Sequence, residues 1–233
     1  MTPGPSQLFI AAIAWMAMHL VVSGTPLRGW IVQAIGEGAF RAVFSVASAV
    51  VLAWLIWSYS AAGPIQSLWV TPRWVIVLCM LLMLPALVLF VGSVTTPNPT
   101  MVQGQRALKA ENPARGILRV TRHPMLWSFA LWAGVHLVML GTLGATVFFA
   151  TFLIVAIAGM PSLDAKISKR GYIGWADYAQ ATSIIPFAAI AQGRNQFRVS
   201  EIGAWRITIA VVAWFALIAG HQWLFHISMW RFL

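Results

Sequence analysis

The sequence predicts an all-α, polytopic membrane protein of about six transmembrane helices. Three observations carry this. Of 233 residues, 60% are hydrophobic. Only 9% are charged, where a soluble domain carries roughly a quarter. The apolar residues also gather into about six runs, each near the ~20 residues that a bilayer core requires. Together the runs leave no room for a separate soluble domain, so residues 1–233 are expected to form a single domain.

The first run is Leu8–Val22. No basic residue precedes Arg28, so it lacks the basic start of a cleaved signal peptide and is expected to stay in the protein. The second is Phe40–Tyr59 and the third Trp74–Val91, with Pro85 removing one backbone donor inside it. The fourth, Met125–Leu140, follows Pro124, which suits a first helical turn because its missing N–H is not needed there. The tight link "LGTLG" leads to the fifth, Leu143–Met160, and the sixth is Trp205–Phe225. The linker Thr95–Val120 is polar and holds Pro97, Pro99 and Pro113. The linker Pro161–Ala204 contains "IIPFAAI", too short to span and expected at the membrane interface.

The formal net charge is +10, from 15 Lys+Arg against 5 Asp+Glu. In a soluble chain this would suggest nucleic acid. Here the basic residues lie between apolar runs, so they report orientation, and no nucleic-acid partner is expected. With six spans, every Lys and Arg except Arg73 and Arg231 falls on one side. The positive-inside bias makes that side cytoplasmic and both termini non-cytoplasmic. The 13 tryptophans read mainly as interfacial anchors or packing.

Cys79 is the single cysteine, which excludes an internal disulfide. There is no HExxH, no CxxC and no carboxylate cluster, which argues against zinc or di-iron chemistry. No phosphate-binding glycine motif is present either.

The five histidines, His19, His123, His136, His221 and His226, all lie in or at the ends of spans. Polar side chains at that depth are functional candidates. The plainer reading is a hydrogen bond to a neighbouring helix. On one helix His123 and His136 would point roughly 140° apart and sit nearly 20 Å apart, so they cannot share an ion. His221 and His226 also fall on different faces.

One pairing fits. His19 in the first span and His136 in the fourth reach compatible depths, and two imidazoles from facing helices are how a bundle holds haem. Neutral ligands keep the charge low. Arg28 and Arg122, at the ends of the same helices, are then candidate partners for the haem propionates. Phe129 and Trp132 share a face with His136 and could wall such a pocket, or simply pack the core. The Arg122–His123–Pro124 triplet allows two readings. One is a cap or interfacial anion contact; the other is a catalytic or ligand site formed with the linkers.

The blocks "MHLVVSGTPLR", "GILRVTRHPMLWSFALWAGVHL" and "ATSIIPFAAIAQGRNQFRVSEIGAWR", in this order and continuing to "HQWLFHIS", resemble the NnrU family of integral membrane proteins. That family is named for bacterial proteins linked to nitrite and nitric oxide metabolism. It is related to zeta-carotene isomerase, a haem b enzyme that isomerises a cis double bond in a polyene. The resemblance implies a multi-pass protein of the bacterial inner membrane. It implies haem b held by His19 and His136 as axial ligands. It also implies either a denitrification role or isomerisation of an apolar polyene within the lipid bilayer. The related isomerase has a cysteine three residues before its second ligand; this chain has Ala133 there, so a Cys/His ligand switch is not expected.

His123, Arg122 and Asp164 remain as catalytic candidates, or as supports of the cytoplasmic mouth. A second reading is a non-catalytic assembly or maturation partner of a nitric oxide reductase. A third follows from "RHP", which is similar to membrane S-adenosylmethionine-dependent methyltransferases. Leu126 stands where those carry tyrosine, and Asp164 is the one acid in "GMPSLDAKISKR", so the cofactor elements look incomplete.

Overall fold

The computed structural model describes residues 5–63 and 65–233. Eleven α-helices follow one another among them: α1 Pro5–Met16, α2 Leu27–Ile35, α3 Glu37–Ala62, α4 Arg73–Thr95, α5 Ile117–Val120, α6 Pro124–Leu140, α7 Leu143–Lys169, α8 Trp175–Ala181, α9 Ala188–Ala191, α10 Val199–Ile202 and α11 Ala204–Phe225. A π-helical turn, Ala17–Val22, continues α1, so the first apolar helix runs Pro5–Val22. Five helices are long and apolar enough to cross a membrane, and α6 is a shorter apolar helix of 17 residues. At 1.5 Å per residue α6 is about 26 Å long, close to the hydrocarbon thickness. The six expected spans therefore correspond to six apolar helices. Among the described residues the extended pairing is a single bridge, Ser67 to Thr142.

Two differences from the sequence reading bear on the site. The fifth span continues through Pro161 to Lys169 rather than stopping at Met160. A proline costs its helix one donor, and apolar helices tolerate this because neighbours re-satisfy the freed groups. The extension matters, because it puts Asp164 on a helix instead of in a linker. The loop after the first span also holds a helix, α2, which ends at Gly36. Gly36 has φ 83°, a left-handed conformation that an L-residue avoids, and this separates α2 from α3.

Contacts group the chain into two compact units: Met1–Pro72 with Ala133–Gly159, and Arg73–Trp132 with Met160–Leu233. In the first unit α1 and α2 pack on α3. The segment before α4 docks on the tight link between α6 and α7. Leu68 N donates to the Gly141 carbonyl at 2.7 Å, and Leu143 N to that of Gln66 at 3.0 Å. Trp69 Nε1 and Thr71 Oγ1 both donate to the Val138 carbonyl, at 3.0 and 2.7 Å, satisfying an orphan acceptor at the end of α6.

In the second unit α4 packs on α11. Trp214 Nε1 donates to the Met80 carbonyl at 2.7 Å, in the part of α4 that Pro85 interrupts. Leu89, Ile117, Leu118, Val120 and Ile202 form one apolar core, and Leu108, Ala114, Ile167, Trp175 and Tyr178 another. The "IIPFAAI" segment folds against the entry to α6. Phe187 N donates to the Val120 carbonyl at 2.8 Å, and Trp127 Nε1 to that of Ile184 at 2.8 Å.

Candidate functional site

Two constellations stand out, one in each unit. In the second unit, Pro124 opens α6, so Arg122 and His123 sit at its mouth. His123 is not a surface cap: it is 2% exposed. Asp164, on the last turns of α7, takes both neighbours. Its Oδ1 lies 2.8 Å from His123 Nε2, and its Oδ2 accepts from Arg122 Nε at 2.8 Å and pairs with Nη2 at 2.7 Å. The three residues left as catalytic candidates by the sequence are thus one cluster. With the carboxylate ionised, Nε2 carries the proton, and His123 Nδ1 is left buried without a hydrogen-bond partner.

Arg122 also reaches across to the end of α8. Its Nη1 donates to the carbonyls of Ala179 and Thr182, at 3.2 and 3.0 Å. Arg194 donates to the Gln180 and Thr182 carbonyls, and Asn195 Nδ2 to that of Ala181 at 2.8 Å. Three side chains therefore satisfy the carbonyl end of one short helix. Asp164 already neutralises Arg122, so its expected role beside a haem propionate has a competing anion in place.

Sequence reasoning missed a second ion pair in this unit. Arg119, 7% exposed, meets Glu201 with two parallel bonds, Nε to Oε2 at 2.7 Å and Nη2 to Oε1 at 2.9 Å. Its Nη1 reaches Asn195 Oδ1 at 2.5 Å, and Gly116 N also donates to Glu201 Oε2, at 2.9 Å. The hydrogen bonds from Arg119 hold the Glu201 carboxyl below the usual carboxylate range. Gly116 has φ 59° and a Cβ there would meet the Glu201 carbonyl at 3.0 Å, so the close approach requires glycine. The available signal was scarcity: Glu201 is one of only five acids in the chain. Tyr178 was also missed. It is 1% exposed, and burial pushes its phenol above the usual range.

His19 and His136 both lie in the first unit. His19 lies in the π-helical turn, closed by a bond from Ser23 N to the Met18 carbonyl at 3.0 Å. Its Nδ1 is 2.9 Å from the Trp15 carbonyl, which fixes Nδ1 as the donor and leaves Nε2 with the lone pair. His136 stacks on Phe149, ring centres 4.9 Å apart and 18° from parallel. Phe129, which could wall a His136 pocket or pack the core, packs on Phe90 in the second unit.

Ring contacts join the two histidines. His19 meets Trp15 at 4.1 Å and Trp15 meets Phe152 at 5.5 Å. Phe152 meets Phe148 at 5.1 Å, and Phe148 meets Phe149 at 5.0 Å. Phe44 adds an edge contact to His19 at 5.6 Å. Arg28 pairs with Glu37 at 2.6 Å and lies over the Phe40 ring. The other two histidines look structural: His221 Nδ1 bonds the Leu217 carbonyl four residues back, and His226 is exposed in a left-handed turn. Among the described residues no group of three or more His, Cys, Asp or Glu is placed to hold a metal ion.

No solved structure matches the chain. A stretch of 80 residues is 31% identical to 15-cis-zeta-carotene isomerase, chloroplastic, of Arabidopsis thaliana. That stretch is 34% of this chain and 22% of the plant protein, so the chain spans about a fifth of that relative's length. The model of the NnrU protein family matches residues 7–229, nearly the whole chain, and the protein belongs to that family.

Proposed function

We propose that the protein holds haem b between His19 and His136 and isomerises a cis double bond in an apolar polyene dissolved in the bilayer. One observation supports it above the others. His19 Nδ1 is tied to a backbone carbonyl, leaving Nε2 as an oriented donor, in a unit where ring contacts lead from His19 to His136. A metal-binding imidazole commonly spends its second nitrogen in this way.

The donor set suits the group. Two neutral imidazoles add no charge to an apolar interior. An imidazole binds iron through a lone pair in the ring plane, so the Phe149 ring stacked on the face of His136 does not obstruct it. Trp15, Phe148 and Phe152 keep water away and offer aromatic faces to a planar ligand. Arg28, in the first turn of α2 and nine residues after His19, is the propionate partner this reading assigns, exchanging Glu37 for the new anion. When bound, the haem would supply a redox-active iron at which a polyene can be activated. The buried Ala133 leaves no thiol beside His136, so the site relies on its two histidines.

The name of the plant relative supports this choice of reaction. The test is an absorption spectrum of the detergent-purified protein, oxidised and then dithionite-reduced, followed by incubation with cis-polyenes and chromatographic separation of isomers. Sharp bands of low-spin bis-histidine haem and conversion of one isomer are expected. A flat visible spectrum from protein expressed with haem supplied would overturn the reading.

A further inference from the structure

The second unit contains a pocket of about 290 Å³ lined by Arg122, Thr182, Ser183, Ile185, Gln192 and Arg194, among others. Its charge is not balanced. Arg122 is neutralised by Asp164. Arg194 has only neutral partners: the side-chain oxygen of Gln192 and two main-chain carbonyls at the end of α8. A full positive charge therefore stays on the pocket wall, softened only by the helix-end carbonyls it caps.

Exposed apolar side chains accompany it. Ile185, which lines the pocket, is 65% exposed; Phe187, next in sequence to the lining residue Ala188, and Phe197 are each 50% exposed and meet edge to face at 5.7 Å. Such a surface is unfavourable in water. It suits the boundary where headgroups meet acyl chains. The location agrees, because Arg122 is two residues from the start of the apolar α6. An unbalanced guanidinium beside exposed apolar side chains complements an amphiphile with an anionic head.

We infer that this pocket binds the phosphate of an anionic phospholipid, with the acyl chains lying over Ile185, Phe187 and Phe197. Arg194 supplies the charge, and Gln192 and Ser183 give the site its polar wall.

Native mass spectrometry of the full-length protein released from detergent tests this, using phosphatidylglycerol and phosphatidylcholine of identical chains. Phosphatidylglycerol should be retained about fivefold better than phosphatidylcholine, the ratio one interfacial arginine supports. Arg194→Gln should remove that preference and Arg194→Lys should keep most of it. Because Arg194→Gln also uncaps α8, Ile185→Glu provides a check on an exposed side chain, and it too should abolish the preference. Arg73→Gln, which alters a cation outside the pocket, should change nothing. Displacement by inorganic phosphate would assign recognition to the phosphate group alone. Resistance to it would assign recognition to head and chains together. Equal retention of the two lipids, or an equal loss in Arg73→Gln, would overturn the inference.

Discussion

His123 Nε2 and Asp164 Oδ1 are 2.8 Å apart, although 41 residues separate them in sequence. The contact joins the residue that precedes one apolar helix to the last turns of the next, and Arg122 completes it from the other carboxylate oxygen. Asp164→Asn should leave the half-buried Arg122 charge without its counter-ion. A loss of about 3 kcal/mol is expected, read as a drop in the thermal unfolding midpoint in detergent. His123→Gln should cost less, about 1–2 kcal/mol, since it removes one hydrogen bond and no permanent charge. Equal midpoints for wild type and Asp164→Asn would show that the cluster adds nothing to stability.

Haem content should respond to two histidines and ignore a third. His19→Ala and His136→Ala are each expected to purify with less than about a tenth of the wild-type haem, since losing an axial ligand removes most of the affinity. His221→Ala, which loses a bond to the Leu217 carbonyl and a ring contact with Phe225, should keep all of it. A pyridine haemochromogen assay measures the three side by side.

Stability should fall in acid through Glu201. Its folded carboxyl titrates below the usual range because Arg119 favours the charged form. A lowered folded pKa gives stabilisation that is complete above the unfolded value, about 4.3, and vanishes as pH falls through the folded one. The stability gap between wild type and Glu201→Gln should therefore be constant above about pH 5 and narrow below about pH 4. A gap that widens in acid would contradict the sign.

Gly141 and Gly36 should differ on substitution by alanine. Gly36 has open space around it, so its cost is the positive-φ backbone alone, about 1–3 kcal/mol. At Gly141, φ is 58° and a new Cβ would sit 2.1 Å from the Trp69 carbonyl carried by the docked segment. Gly141→Ala should cost at least about 2 kcal/mol more than Gly36→Ala. Comparing the two unfolding midpoints decides it.

Orientation follows from charge placement. Protease-accessible tags at the two ends should both be cleaved from the non-cytoplasmic side of intact cells, while a tag inserted at Gln105 is protected. Cleavage of the Gln105 tag under those conditions would reverse the topology.

The six apolar helices were legible because hydropathy and the bilayer thickness depend on composition alone. The route of α7 through Pro161 was not, since a proline reads locally as a stop, and its tolerance depends on neighbours that the sequence does not display. Histidines in apolar runs marked His19 and His136 as candidates, yet their surroundings were hidden. Phe149 and Phe129 are equally apolar, and only tertiary packing decides which ring faces His136. Asp164 stood out as a rare acid, but its pairing with His123 depends on how two helices meet. The left-handed Phe187 carries no sequence mark at all.

The wider turn at Ala17–Val22 has a consequence for how this chain tolerates length changes. A π-helical turn takes up one residue more than the α-helix it interrupts. Deleting any single residue there would leave an apolar helix of nearly the same length, indistinguishable by hydropathy. The wide turn would close into an ordinary α-turn and keep the phase of the helix, whereas a deletion within α1 would swing everything beyond it by about 100° around the axis. Membrane insertion would survive either deletion, but one in α1 between Ala12 and Met16 would change the azimuth of His19 relative to the buried Leu8, Ala11 and Ala12.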